Sequence, residues 1–378
     1  MDSRNPRRIL VYRTGQIGDT LIALPAMRAV RDCFPSAHLC LLTGRHRQSN
    51  FVLAADVLPE QGLFDDLITY PTDTSGVDLK VFPATLMEIR RQGFDTLVYL
   101  APRIRTPLQV RRDLFFFRLA GIKHFIAHRG FKPLERPVGV ALPEVEHEAD
   151  HLLGRLSLSG IPVPPRASRS IDLRLTETER GRAADWLRDH VGDQPGGTSL
   201  IAIGPGSKSP SKVWPEDRFV ALGARLINES GLYPIIFGGP EDRDLAERLI
   251  SLWGVGANAA GELSVRHAAA VMSNCCLYIG NDTGTMHLAA AAGVTCVAIF
   301  SAIDWPGRWY PYGGGHMVLR RSVACEGCRL DVCVEQDMKC MRQIEVADVL
   351  AVAKRKLKED SPQRRGERRG AAEFLTSA

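Results

Sequence analysis

Short apolar runs separated by amphipathic stretches recur along this chain, and the alternation starts twice; no other feature restricts the fold as much. Runs at residues 8–12, 37–42, 66–70, 96–100 and 124–127 read as buried strands, with helical patterns between them that are clearest at 83–91 and 107–119. After the first strand, Ile17, Leu21, Leu24, Met27, Val30 and Phe34 recur at three- and four-residue spacing, the stripe of a helix with one buried face. A looser, Pro-rich passage covers 136–169, with a short helix expected at 148–159 and a linker at Ile161-Pro162-Val163-Pro164-Pro165. The alternation then resumes with strands at 200–203, 233–237, 277–279 and 294–300, and helices at 215–228, 241–252, 264–272 and 284–291. Helices between strands are what parallel crossovers require, and a parallel sheet is covered on both faces. The expected fold is therefore α/β, with two Rossmann-like doubly wound domains at 1–165 and 170–345 and a closing helix at 346–357. A length of 378 residues agrees, since it exceeds what one core usually serves. Open sheets bind ligands outside the carboxyl ends of their strands, so the two domains are expected to face a shared cleft there.

Composition narrows the setting. With 45% hydrophobic and 24% charged residues the chain is of ordinary globular type. Its longest apolar runs, such as 295–302, fall far short of the roughly 20 residues that cross a bilayer. No apolar signal core follows the first eight residues, so a cytoplasmic protein is expected, at most peripheral at the inner face of the inner membrane. The formal charge is +5, yet residues 354–378 alone carry eight Lys or Arg against four Asp or Glu. The body is thus nearly neutral, which argues against a nucleic-acid partner. The tail at 358–378 reads as disordered, either a solubilising extension or a weak electrostatic hold on an anionic membrane.

The chemistry should lie in the turns that follow strands. At 280–292 an apolar strand ends in Gly280-Asn281-Asp282-Thr283-Gly284-Thr285, and a small-residue helix begins at once. Such a helix start exposes backbone N–H groups at the positive end of the macrodipole, Gly284 permits close approach, and Thr283 and Thr285 add hydroxyls, a combination suited to a diphosphate. The competing reading is simple helix capping by Asp282 or Thr283, and His287 is either a ligand contact or a structural hydrogen-bonder. The turn Arg13-Thr14-Gly15-Gln16-Ile17-Gly18-Asp19 places Asp19 in the first turn of a helix. A carboxylate there serves as a general base toward a hydroxyl, or merely complements the helix dipole. Its glycines do not follow G-x-G-x-x-G, so a dinucleotide site is poorly supported. The loop 204–215 carries Ser207, Lys208 and Lys212, able to neutralise a leaving diphosphate or simply solvated, and Trp214-Pro215 fixes the next helix start. Glu241, after another strand, is placed to accept from ribose hydroxyls or to start a helix. Arg103, Arg105, Arg111 and Arg112 form either a solvated face or contacts for an anionic glycolipid. Finally, Cys325, Cys328, Cys333 and Cys340 have spacings compatible with a closed four-thiolate zinc site or, less simply, an iron–sulfur cluster, against packing cysteines or a disulfide.

In their order, these motifs resemble the ADP-heptose:lipopolysaccharide heptosyltransferase family, glycosyltransferase family 9, over residues 8–357. The resemblance is carried by Ile9-Leu10-Val11 with Gly18-Asp19 and Leu24-Pro25-Ala26, by Lys212-Val213-Trp214-Pro215, and above all by Asp282-Thr283-Gly284-Thr285-Met286-His287-Leu288-Ala289. It implies a GT-B-type fold, inversion at the anomeric carbon, no obligatory metal or cofactor, a nucleoside-diphosphate sugar as donor and a lipopolysaccharide-core or related glycan as acceptor. It also implies Asp19 as base, Lys212 as the pyrophosphate-neutralising cation, and Asp282, Thr283, Gly284 and Thr285 as the phosphate cradle. Ser207, Lys208, Glu241 and His287 would complete the donor side, with Arg13 and Gly18 on the acceptor side. Cysteines near 325–340 recur in the family, which keeps a structural zinc in view. The turn before Asp19 departs from the family's usual polar pair, so acceptor contacts are expected to differ. A transferase using another nucleotide sugar for capsule or O-chain synthesis, and a non-catalytic nucleotide-sugar binder, are the alternatives.

Overall fold

The structure, a computed structural model, describes residues 7–45, 52–59, 62–72, 81–131, 134–135, 140–192 and 198–359. The tail expected beyond the last helix lies, from residue 360 on, outside the described residues. The chain forms two compact units, Met1–Leu175 with Trp305–Gly313, and Thr176–Asp304 with Gly314–Ala378.

The first unit runs β1 (Arg8–Tyr12), α1 (Ile17–Cys33), β2 (His38–Arg45), α2 (Ala54–Val57), β3 (Asp66–Pro71), α3 (Val81–Gln92), β4 (Thr96–Tyr99), α4 (Pro107–Leu119), β5 (His124–Ile126) and α5 (Glu148–Ser157). The strands pair in parallel in the order β3-β2-β1-β4-β5, so the winding reverses between β1 and β4. Leu10, Tyr12, Leu97 and Tyr99 pack with Val110, Leu114 and Phe117 of α4, and the Tyr12 ring stacks on Tyr99 with centroids 5.5 Å apart. Among sequence-predicted elements β1 and α4 appear with the expected bounds, while β2 continues three residues past 42 and α5 stops two before 159.

Strand ends in this unit are finished by Arg155 of α5, which is 1% exposed. Its guanidinium donates to the carbonyls of Ala101 at 2.6 Å and Ala127 at 2.6 and 2.9 Å, and also to Tyr99. The Phe131 ring covers it at 3.7 Å. Buried carbonyls just past β4 and β5 that lack a ladder partner are thereby satisfied.

The second unit runs α6 (Glu177–His190), β6 (Leu200–Gly204), α7 (Glu216–Ser230), β7 (Tyr233–Ile236), α8 (Arg243–Trp253), β8 (Ala257–Asn258), α9 (Val265–Met272), β9 (Leu277–Asn281), α10 (Gly284–Ala291), β10 (Cys296–Phe300), β11 (Met317–Arg320), α11 (Lys339–Arg342) and α12 (Val346–Glu359). Its strands are parallel in the order β11-β10-β9-β6-β7-β8, and the winding reverses between β6 and β9. Ile201, Ile203, Ile279, Val297 and Ile299 pack with Phe219 and Leu222 of α7 and Val349, Leu350 and Ala353 of α12. Helix α8 begins at Arg243 rather than 241 because Pro240–Asp242 close a 3₁₀ turn first. Strand β10 begins at Cys296 rather than 294, since the Val294 N–H still bonds the Ala289 carbonyl at 3.0 Å and Gly293 turns the chain at φ 79°.

If Arg155 is what finishes these strand ends, Arg155→Leu leaves three buried carbonyls without a donor. The variant should lose about 3 kcal/mol or more of stability. Urea denaturation followed by circular dichroism checks this; a loss under about 1 kcal/mol would mean the carbonyls find other donors.

Candidate functional site

The turn after β1 in the first unit, and those after β6 and β9 in the second, emerge where the winding reverses, the position at which open α/β sheets take ligands, whereas the Glu241 turn follows β7. Arg13, 1% exposed, donates Nη1 to the Leu100 carbonyl at 2.9 Å, just past β4. Its Nε reaches the Asp19 carbonyl at 3.1 Å and its Nη2 lies 3.3 Å from Asp19 Oδ1. Asp19 Oδ2 accepts from the Gln16 N–H at 3.1 Å, so the carboxylate also closes the first turn of α1. Asp19 is thus a helix-start acid with both oxygens held, and its side chain keeps 28% exposure. Gly15 is what permits this: at φ 128° a Cβ would stand 2.3 Å from Asp19 Cβ and 2.5 Å from Oδ2.

Behind Arg13 lies a buried charge cluster whose pairings no motif of the sequence marks, and in which Arg103, 4% exposed, is neither on a solvated face nor open to a glycolipid. Glu148, fully buried in the first turn of α5, accepts from the Arg103 N–H at 2.8 Å and from Arg308 Nε at 3.1 Å, with Arg103 Nε at 3.9 Å. Arg308 comes from the segment Trp305–Gly313, which packs in this unit although it is far along the chain. Burial pushes the Glu148 carboxyl up in pKa, but Arg308 and Arg13 outweigh it and leave the group below its ordinary value. Burial likewise pulls Arg13 down, against Asp19 and Glu148, which hold its charge. A cluster of this kind tolerates no missing partner, because any one deletion strands buried charge.

In the second unit the loops after β6 and β9 are tied together by Asn281, which is fully buried. Its Oδ1 accepts from the Trp214 N–H at 3.1 Å and its Nδ2 donates to the Pro205 carbonyl at 2.6 Å, fixing both ends of the loop that carries Lys212. The Trp214 indole donates to the Ile344 carbonyl at 2.9 Å and anchors that loop to the segment before α12. A 3₁₀ turn at Pro210–Lys212 then brings Lys212 Nζ to 2.8 Å from Asp282 Oδ2, the lysine 27% and the aspartate 7% exposed. At the start of α10 the Thr283 hydroxyl makes no capping bond to the helix. It lies 2.8 Å from the Thr285 hydroxyl, which is 2.9 Å from the Tyr278 hydroxyl. The first-turn N–H groups of α10 therefore have no side-chain cap, beside a lysine and two threonine hydroxyls, a set that can hold an oxyanion. Burial raises the Tyr278 pKa, which keeps the phenol neutral. Gly204 and Gly280 make room for it, since a Cβ on either would stand 2.0 and 2.4 Å from its oxygen.

The remaining residues fall variously. The Ser207 hydroxyl accepts from the Ser209 N–H at 3.1 Å within the loop, and Lys208 is exposed beside it. Glu241 stands exposed on its turn with its carboxylate over Gly239. The neighbouring Asp242 is the acid drawn in: it accepts from the Gly239 N–H at 2.9 Å and fills the space a Cβ on Gly206 or Gly238 would need. Burial raises its pKa. His287 is 4% exposed in α10, and Gly18 lies within α1. Cys325, Cys328, Cys333 and Cys340 line one small pocket, all four with free thiols. Among the described residues no three His, Cys, Asp or Glu side chains stand close enough to share a metal ion, so the closed four-thiolate arrangement is not formed by these side chains as placed.

Residues 165–339 match the family model described as glycosyltransferase family 9 (heptosyltransferase), a span that holds Lys212 and the α10 start but not Asp19. A stretch of 107 residues is 31% identical to lipopolysaccharide heptosyltransferase 2 of Salmonella typhimurium, covering 27% of this chain and 30% of that protein. The chain thus spans under a third of the length of that curated relative. Among solved structures, a family 9 glycosyl transferase from Veillonella parvula aligns with a TM-score of 0.69 and 21% identity over 94% of this chain and 98% of that one. The ADP-heptose lipopolysaccharide heptosyltransferase II of Escherichia coli aligns with a TM-score of 0.65 and 17% identity over 94% and 100%. At such identities the likeness shows the fold, two Rossmann-like domains of the GT-B type, as the alternation in the sequence predicts.

The turn after β1 makes its own prediction. Gly15→Ala combines a positive φ with a clash against Asp19, and should cost about 1–3 kcal/mol. In the variant's crystal structure the Asp19 carboxylate should leave the Gln16 N–H; an unmoved carboxylate and unchanged melting temperature would show that the turn absorbs the methyl.

Proposed function

We propose, from the premise that this chain belongs to glycosyltransferase family 9, that it is an inverting glycosyltransferase. Its donor in this reading is a nucleoside-diphosphate sugar, ADP-heptose, and its acceptor a lipopolysaccharide-core or related glycan. The observation that carries the reading is the pairing of Lys212 with Asp282 beside the side-chain-uncapped start of α10. Asp282 is itself an anion and does not attract phosphate. Its role is to hold the Lys212 ammonium over the N–H groups of α10, where cation, helix dipole and the Thr283 and Thr285 hydroxyls together favour a diphosphate. Heptose and adenine are proposed from the names of the relatives.

The reaction is a single displacement. The acceptor oxygen attacks the anomeric carbon as Asp19 takes the hydroxyl proton, and the bond from that carbon to the diphosphate oxygen breaks with its electron pair leaving on the nucleotide. Lys212 and the α10 N–H groups stabilise that charge, the work a divalent cation would otherwise do. Arg13 aims the Asp19 carboxylate, and the buried Glu148 carboxylate, itself held by Arg103 and Arg308, attracts Arg13. No metal or cofactor takes part in this reading, and the enzyme acts on the cytoplasmic side of the membrane, where nucleotide sugars are available.

Two measurements separate the halves of the proposal. Asp19→Asn should lower kcat by about 10²–10⁴-fold while leaving the Kd for ADP within about twofold. Lys212→Ala should weaken ADP binding by about 10–100-fold with unchanged circular dichroism. Calorimetric titration with ADP, GDP, UDP and dTDP, followed by transfer assays from the matching sugars with and without EDTA, checks both. Full turnover in Asp19→Asn removes Asp19 as base, and loss of transfer on EDTA addition removes metal independence.

A further inference from the structure

We propose that the outer face of α4, with the adjoining end of α3, is a docking surface for an anionic lipid bilayer. Half of the large hydrophobic side chains left exposed among the described residues fall between residues 82 and 119. Helix α4 already buries one face, through Val110, Leu114 and Phe117. On the opposite face Leu108, Arg111, Arg112, Phe115, Arg118 and Leu119 recur at three- and four-residue spacing and are all exposed, Leu108 at 76% and Phe115 at 61%. A helix that is apolar on its inner side and carries leucine and phenylalanine between arginines on its outer side leaves apolar area in water that folding has not used. Helix α3 packs beside it, with Phe82 against Phe116 at 4.6 Å between ring centroids, and adds exposed Met87, Arg90 and Arg91.

Charge decides the occupant. The one carboxylate of α4, Asp113, is buried and turned inward, where it accepts from the Tyr99 hydroxyl at 2.6 Å and pairs with Arg105 and Arg112. On α3, Glu88 is held by Arg91. The outward charge of the face is therefore positive. A second copy of this chain laid on it about a twofold axis would set arginine against arginine. A bilayer containing acidic lipid meets both features at once: the apolar side chains enter the headgroup boundary, the arginine stems follow them, and the guanidinium groups bind phosphate. The inference goes beyond the transferase reading and stands without it, since it concerns where the first unit adheres and not what the protein transfers.

Flotation of the full chain with vesicles tests it. The protein should float with phosphatidylcholine vesicles containing about 30% phosphatidylglycerol, much less with phosphatidylcholine alone, and less again in high salt. With the rest of the chain intact, Leu108→Ser/Phe115→Ser and Arg111→Gln/Arg118→Gln should each reduce the bound fraction at least tenfold while melting temperature and ADP affinity stay unchanged. ADP affinity reports on the second unit, so its loss would count against the transferase reading and its retention isolates the lipid result. Binding by both variants equal to that of the unmodified chain, or no binding of the unmodified chain to acidic vesicles, overturns the proposal. So does a dimer in sedimentation velocity that both variants disperse, which would assign the face to self-association.

Discussion

Parallel strands end in backbone groups that their own sheet cannot pair, and in this protein buried polar side chains take them up. Arg155 and Arg13 do so in the first unit, on the carbonyls of Tyr99, Leu100, Ala101 and Ala127. Asn281 does so in the second, between the Trp214 N–H and the Pro205 carbonyl. The requirement is severe because a buried unpaired donor or acceptor costs about 1–3 kcal/mol. Arg13 and Asn281 meet it at the point where the winding reverses. Those two side chains therefore also set the turns from which Asp19, Lys212 and Thr283 project.

This explains why the candidate groups come paired. Asp19 is fixed by the guanidinium that caps β4, and Lys212 by the carboxylate that follows Asn281. Glycines complete the arrangement where a neighbour's side chain needs the room, as Gly15 does for Asp19 and Gly206 and Gly238 do for Asp242. Positions of this sort are determined several times over, by backbone conformation, hydrogen bond and charge together, which is what a preorganised site demands.

The sequence made the sheets legible because period-two and helical spacing report burial directly, and buried parallel strands are nearly continuous apolar runs. It was silent where burial is slight. Helix α6 buries only Ala183 and Trp186, and its start is a Thr176–Glu179 capping box, a signal of side chains and not of hydrophobic period. Strand β11 is a half-exposed edge and β8 is two residues long. At the site, individual residues were readable and their partnerships were not. Lys212 and Asp282 stand 70 positions apart in sequence and read separately as cation and cradle, yet they meet at 2.8 Å. Nothing in Trp305–Gly313 announces that it returns to the first unit, since Arg308 is there for Glu148 and not for any pattern of its own.

That return also bears on why so costly a cluster is kept. Burying Glu148 with Arg13, Arg103 and Arg308 stabilises little, because desolvation consumes most of what the charges gain, and apolar side chains of similar volume would serve stability as well or better. What apolar packing cannot supply is direction. A guanidinium fixed at several nitrogens holds a carboxylate at one orientation, and Arg13 uses Nη1 on the Leu100 carbonyl and Nε and Nη2 on Asp19. Glu148, whose charge attracts Arg13, is in turn held by Arg308, from a segment nearly three hundred residues beyond Arg13 along the chain. The cluster is therefore better understood as fixing the Asp19 carboxylate to the body of the first unit than as holding the unit together, and its cost in desolvation is the physical mark of that difference.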